Sequence, residues 1–161
     1  MKYGRLSKKN KNLLPHDPSE YGDFWTYTGF KRDSGLMISF SSGKRVEETC
    51  GLMLNCFFER MELPLPSNKI SIYTDGNCQY PSVIQDLYCE SCIDYGQVIK
   101  LKEQNRLVSV IRAKIFGNPE IESISTSVVE GYNNKIRQRL SRFARKTASF
   151  SKRVSGYVTS L

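Results

Sequence analysis

Three carboxylates stand where the ends of predicted strands and a predicted helix would bring them into a site. Asp23 precedes one predicted strand, Asp75 ends another, and Glu130 lies in the first turn of a predicted helix. Mg²⁺ prefers hard oxygen ligands such as carboxylates. Two such ions about 4 Å apart activate a water or hydroxyl and stabilise the leaving oxygen of a phosphodiester. These residue types are therefore consistent with phosphoryl transfer on nucleic acid.

Each carboxylate also has a purely structural interpretation. Asp23 follows Gly22 and suits a turn, and Asp75-Gly76 is a common turn dipeptide. Ser127-Val-Val-Glu130 matches a capping box, in which the glutamate only satisfies the start of a helix. Spacing alone leaves the catalytic and the structural interpretations open.

The charge is unevenly distributed along the chain. The 161 residues include 24 Lys and Arg and 16 Asp and Glu, for a net charge of +8. Residues 1–16 carry five of the basic side chains and residues 131–161 carry eight, without any acid. The remaining 11 basic residues stand against all 16 acids between residues 17 and 130, a net of −5. Two basic ends indicate a polyanionic partner such as nucleic acid, and a solvated surface without a partner is the alternative.

Cysteine and histidine usage narrows the function classes. Five cysteines without secretory features predict reduced thiols and a cytoplasmic protein. Cys89 and Cys92 form one C-x-x-C, whereas a structural zinc site needs four ligands, so a zinc-stabilised interaction module is a minor hypothesis. His16 is the only histidine, which argues against a Ser-His-Asp triad. No apolar run approaches the roughly 18 residues of a membrane span, and no phosphate-binding glycine loop is present.

Hydrophobic periodicity predicts a mixed α/β chain. Strands are predicted at 24–30, 36–41, 70–74, 98–101 and 107–115, and helices at 47–61 and 81–88. A last helix is predicted after Ser125-Thr-Ser127, and its exposed side is strongly basic. Its apolar face consists of Val129, Ile136, Leu140, Phe143 and Phe150.

Several segments match the motifs of one family in the same order. Gly22-Asp-Phe-Trp-Thr-Tyr27 and Gly43-Lys-Arg-Val-Glu-Glu-Thr49 are similar to Gly-Asp-Val-Trp-Thr and Gly-Asp-Arg-x-x-Glu-Thr. Tyr73-Thr-Asp-Gly-Asn-Cys-Gln-Tyr80 is similar to Thr-Thr-Asp-Gly-x-x-x-Tyr. The stretch from Gly117-Asn-Pro-Glu120 to Ser125-Thr-Ser-Val-Val-Glu130 is similar to Gly-Asn-Pro-Asp and Ser-Thr-Ser-Tyr-Val-Glu-Arg. The chain thereby resembles IS-one-type insertion-element transposases of the DDE group.

This resemblance implies an RNase H-like fold, a mixed sheet flanked by helices. It implies that Asp23, Asp75 and Glu130 form an acidic triad that binds Mg²⁺ or Mn²⁺, releases 3′-hydroxyls at element ends and joins them to target DNA. Asp33 is a weaker alternative for the first acid, because it falls in a predicted turn outside the motifs. The implied partners are terminal-repeat DNA, target DNA and further copies of the chain, without a membrane, at the nucleoid. Predicted DNA-binding residues are Asn133, Lys135, Arg137, Arg139, Arg142, Arg145, Lys146 and Lys152.

The chain also departs from the family pattern. Gly131 stands where the family has arginine, and Val128 where it has an aromatic residue. Relatives carry an N-terminal DNA-reading part and continue as a helix where this chain stops at Leu161. The alternative expectation is therefore a truncated, catalytically inactive DNA-binding remnant. The expected organisation is a basic arm over 1–20, an RNase H-like catalytic domain over 21–155 and a short tail over 156–161.

Overall fold

The strands form two separate three-stranded sheets. The computed structural model describes residues 2–6, 10–140, 143 and 151–159. The chain divides into one unit of residues 1–57 with 129–161 and a second unit of residues 58–128, and each unit contains one sheet. Helices alternate with strands along the chain, which confirms the predicted mixed α/β class.

The first sheet is antiparallel, in the order β1-β2-β3. Its strands are β1 (Lys2–Leu6), β2 (Gly22–Phe30) and β3 (Met37–Gly43). The last two confirm the strands predicted at 24–30 and 36–41 and form an antiparallel hairpin. The predicted arm over residues 1–20 contains β1, a strand that was not predicted from the sequence. The backbone of β1 pairs with the edge of β2 that β3 leaves open, and so satisfies its N–H and C=O groups.

Helix α1 (Glu47–Glu59) confirms the helix predicted over 47–61. Cys50, Met53 and Leu54 are buried and recur at the three- and four-residue steps of one helix face. The apolar spacing in this segment therefore correctly predicted which face of α1 is buried in the core of the first unit.

The C-terminal part of the first unit contains α3 (Ser127–Arg139) and α4 (Val154–Val158). The predicted last helix was expected to extend its apolar face to Phe150, but α3 ends at Arg139, and Phe150 lies outside the described residues. The N–H of Phe143 bonds to the Leu140 carbonyl, a tighter turn than an α-helix makes. An apolar cluster comprises Phe24, Phe143, Tyr21, Ile136, Leu140 and Val154.

The second sheet is mixed, in the order β4-β5-β6. Strand β4 (Ile70–Asp75) leads through α2 (Gln79–Leu87) to the parallel strand β5 (Ile93–Glu103), and β6 (Arg106–Phe116) returns antiparallel. These elements confirm the predicted ones, although β5 begins earlier than residue 98. The buried apolar side chains of this unit are Phe58, Ile72, Val83, Ile84, Ile93, Tyr95, Val98 and Ile124.

None of the helices in the described part of the chain is both long enough and apolar enough to span a membrane. The longest of them, α1 and α3, have 13 residues each.

Candidate active site

Asp23 is the second residue of β2, the central strand of its sheet, and is half-buried. Its backbone N–H donates a hydrogen bond to Oδ1 of Asn10 at 2.6 Å. Gly22 before it has a φ of +106°, which side-chain-bearing residues rarely adopt, and a Cβ there would collide with the Asn10 side chain. The Gly22-Asp23 pair is therefore the start of a strand whose backbone conformation requires glycine.

Lys44 lies beside Asp23. It follows β3, and its Nζ donates a hydrogen bond to the carbonyl of Tyr21. Burial lowers the pKa of Lys44, while the negative charges of Asp23 and Glu20 act in the opposite direction. Lys44 was not among the site residues predicted from the sequence. The sequence did mark this position, because Lys44 in Gly43-Lys-Arg replaces the aspartate of the resembled family's Gly-Asp-Arg.

Gly43 and Thr49, the first and last residues of that motif, are in contact. A Cβ on Gly43 would lie 2.8 Å from Thr49 Oγ1 and 3.2 Å from its Cγ2. The Ser41 hydroxyl donates to the Thr49 carbonyl. The motif therefore joins the end of β3 closely to the first turn of α1, and so fixes the segment that carries Lys44.

Asp75 is exposed at the carboxyl end of β4. Its Oδ1 accepts the backbone N–H of Asn77 at 3.3 Å, so the carboxylate stabilises the turn that follows the strand. This contact agrees with the structural interpretation of Asp75-Gly76, but it occupies only part of the hydrogen-bonding capacity of a carboxylate.

A buried polar network supports the loop that follows Asp75. Gln97 on β5 donates from Nε2 to the Asn77 carbonyl at 3.2 Å and to the Tyr95 hydroxyl at 2.8 Å. The Tyr95 hydroxyl lies 2.8 Å from Thr74 Oγ1. Gln97 is 6% exposed and Tyr95 is fully buried. Neither residue was predicted from the sequence, because only the parallel pairing of β4 with β5 brings them beneath this loop.

Glu130 is exposed in the first turn of α3. The Ser125 hydroxyl accepts the N–H of Ser127 at 3.2 Å and donates to the Ser127 hydroxyl at 3.0 Å. Ser125 thus stabilises the start of the helix, in agreement with the expectation that Ser125-Thr-Ser127 caps it. Gly131 follows Glu130, and no atom of the described residues lies within 4 Å of where its Cβ would be.

The three predicted catalytic carboxylates are divided between the two units. Asp23 and Glu130 belong to the first unit and Asp75 to the second. Within neither unit do the described residues bring three or more His, Cys, Asp or Glu side chains together as a metal-binding group. As a donor set, three carboxylates supply the hard anionic oxygens that Mg²⁺ and Mn²⁺ prefer. Asp33, the weaker alternative for the first acid, is exposed in the turn after β2.

The predicted DNA-binding residues lie on α3 and beyond it. Lys135 and Arg139 are exposed on α3, and Lys152 is exposed before α4. Arg137 is half-buried and donates to Asn134 Oδ1 at 3.2 Å. Asn133 differs from the others because it is 6% exposed, which leaves its side chain little surface for a phosphate. Outside the described residues lie Arg142, Arg145 and Lys146.

Comparison with known proteins identified no relative. No family model, curated protein or solved structure matches the chain.

The two cysteines of the C-x-x-C segment both lie close to the hydroxyl of Ser91. Cys89 Sγ lies 3.0 Å from the Ser91 hydroxyl, which is 3.8 Å from Cys92 Sγ. This hydrogen bond from Ser91 is the main cause of a lowered pKa for the Cys89 thiol. Cys89 is exposed, so its thiolate is accessible to reagents.

Proposed function

We propose that this chain is the catalytic domain of a DDE-type transposase with an RNase H-like fold, which cleaves and joins DNA strands at insertion-element ends. The observation that carries the proposal is the position of each motif carboxylate in its own element. Asp23 is on the central strand of a sheet, Asp75 ends a strand of a parallel pair, and Glu130 is in the first turn of the basic helix.

The proposal gives the three carboxylates the role of metal ligands. Mg²⁺ or Mn²⁺ held by Asp23, Asp75 and Glu130 would supply Lewis acidity and a more acidic bound water or hydroxyl. Lys44 offsets the negative charge of Asp23 and orients the strand end through its bond to the Tyr21 carbonyl. The Gln97 network holds the loop after Asp75 in one conformation.

DNA binding is assigned to the basic side chains of α3. Lys135 and Arg139 are exposed, and neutralising phosphates with such cations releases counterions, which drives association. Lys135 Nζ lies 4.9 Å from the centre of the Tyr132 ring, which limits its conformational freedom. The proposed partners are terminal-repeat DNA, target DNA and further copies of the chain, at the nucleoid in the cytoplasm.

A strand-cleavage assay tests this function. The substrate is duplex DNA from both flanks of the coding segment, incubated with the full chain with and without Mg²⁺. We expect metal-dependent nicking or strand transfer, and a loss of about a hundredfold or more in Asp75→Asn and Glu130→Gln, the scale of removing one charge-stabilising group. Undiminished cleavage in both variants would refute the catalytic assignment.

A DNA-binding protein without cleavage activity is the second candidate. It is favoured by Gly131, which leaves open space where the resembled family carries an arginine beside the catalytic glutamate. This candidate predicts duplex binding that weakens steeply with salt and no metal-dependent cleavage. The assay above, run beside a binding titration, distinguishes the two functions.

A further inference from the structure

The outer half of the β5–β6 hairpin extends beyond the rest of its sheet. Pairing of β4 with β5 ends at Asp75 and Val98, whereas pairing of β5 with β6 continues to Glu103 and Arg106. No other described strand pairs with this outer part of the hairpin. We call residues 99–111 the ribbon. Each of its strands contributes about five residues, a length of about 17 Å.

Both faces of the ribbon are exposed, since every residue from 100 to 112 is exposed. Gln104 and Asn105 connect the strands, each with a positive φ, as a tight two-residue hairpin turn requires. An isolated two-stranded ribbon is only marginally stable in water, and exposed apolar patches mark interaction sites. Five large apolar side chains of the ribbon are 44% to 59% exposed, namely Leu101, Leu107, Val108, Val110 and Ile111.

The ribbon and the residues next to it, 98 and 112–116, are basic within a segment that is otherwise acidic. Between residues 98 and 116 there are five basic side chains and one acid, Glu103, although residues 17–130 as a whole have a net charge of −5. Arg112 is paired with Glu122 at 3.5 Å across an exposed surface, a weak interaction. The basic residues are Lys100, Lys102, Arg106, Arg112 and Lys114.

We propose that the ribbon is a second DNA-contacting surface, which enters the major groove of duplex DNA. This inference rests on the proposed function, because it assumes that the chain acts on DNA. The major groove, about 12 Å wide, admits a two-stranded β-ribbon. Lys102 and Arg106 near the tip bind phosphates along the groove, and the apolar side chains Val108 and Val110 contact base edges, where thymine methyl groups are apolar partners.

The charge on the ribbon selects DNA over a second copy of this chain. β6 is at one edge of its sheet of described strands, and pairing between the β6 edges of two copies would bring the basic residues of one copy close to those of the other. These residues are Arg106 in the ribbon and Arg112 and Lys114 next to it. Like charges across strands are destabilising, and basic residues on an edge prevent such pairing. A polyanion offers the complementary charge.

The test is a fluorescence-anisotropy titration of the full chain with a labelled 20-base-pair duplex at several salt concentrations. In Lys102→Gln with Arg106→Gln, the slope of log K against log salt should become shallower by about 1.8, the contribution of two phosphate contacts. In Val108→Ser with Val110→Ser, affinity should fall at an unchanged slope. The matched control is Arg60→Gln with Lys69→Gln, whose Lys69 precedes β4 at the opposite end of the sheet.

The outcomes separate this inference from the function on which it rests. If Lys135→Gln with Arg139→Gln weakens binding but the two ribbon variants bind like the control, the ribbon proposal is wrong and the proposed function stands. If the wild-type chain binds no duplex, both are wrong. The ribbon proposal is also overturned if the valine variant loses only self-association in sedimentation, or if the ribbon binds anionic phospholipid vesicles in preference to duplex DNA.

Discussion

Replacing Gln97 by leucine removes the donor at the centre of the network beneath the Asp75 loop. Gln97 is 6% exposed and makes two hydrogen bonds, to the Asn77 carbonyl at 3.2 Å and the Tyr95 hydroxyl at 2.8 Å. Leucine has a similar size but no donor. Each lost bond is worth about 1 kcal/mol, and more where its partner is left unsatisfied in the interior. We therefore expect a loss of about 2 kcal/mol.

Amide hydrogen exchange followed by mass spectrometry reports this loss locally. A destabilisation of about 2 kcal/mol corresponds to roughly 30-fold faster exchange in peptides from β4 and β5. The control is Gln85→Leu, which removes an exposed hydrogen bond from Gln85 to Glu90 and should change exchange little. Equal effects of the two substitutions would refute the network as a support of the Asp75 loop.

Three further predictions concern local packing, helix stability and thiol chemistry. Gly43→Ala should lower the free energy of unfolding by about 1–3 kcal/mol, measured by thermal unfolding, because the new Cβ would collide with Thr49. Adding Thr49→Ala should recover part of this stability, and an unchanged stability in Gly43→Ala would contradict the contact. Gly131→Ala should stabilise α3 by about 1 kcal/mol, seen as a raised midpoint by circular dichroism, whereas a lowered midpoint would mean that the position is not open. The Ser91 hydroxyl favours the thiolate and so lowers the pKa of Cys89. In Ser91→Ala, the pH dependence of Cys89 alkylation by iodoacetamide should therefore shift to higher pH. An unchanged pH dependence would exclude the Ser91 hydrogen bond as the cause.

Local patterns in the sequence were enough for the elements that carry the candidate site. Alternation predicted β2, apolar spacing predicted α1, and the β-branched run before Asp75 predicted β4. The Ser125 cap and the apolar spacing after it located the start of α3 and hence Glu130 in its first turn. These features depend on neighbours within a few residues, which a sequence shows directly.

Features that depend on pairing between distant strands could not be predicted. The Gln97 network requires that β5 lie parallel to β4, and β1 is a strand because β2 offers it an open edge. Apolar residues at 107–115 correctly predicted a strand, but the exposure of the ribbon on both faces was not predicted, because it depends on where the pairing of β4 with β5 ends. Periodicity also overran the end of α3, since it does not distinguish a helix from the tighter turn at Phe143.

The proposed function requires that three specific carboxylates support metal-dependent DNA cleavage. Its most direct test is the single-turnover rate of strand cleavage on flanking duplex DNA in Mg²⁺, compared between Asp23→Asn and Asp33→Asn. Both changes remove one negative charge, but Asp23 is on β2 within a matched motif and Asp33 is in an exposed turn. We expect the rate to be about a hundredfold or more lower in Asp23→Asn and unchanged in Asp33→Asn. Equal rates in the two variants, or loss in Asp33→Asn alone, would contradict it.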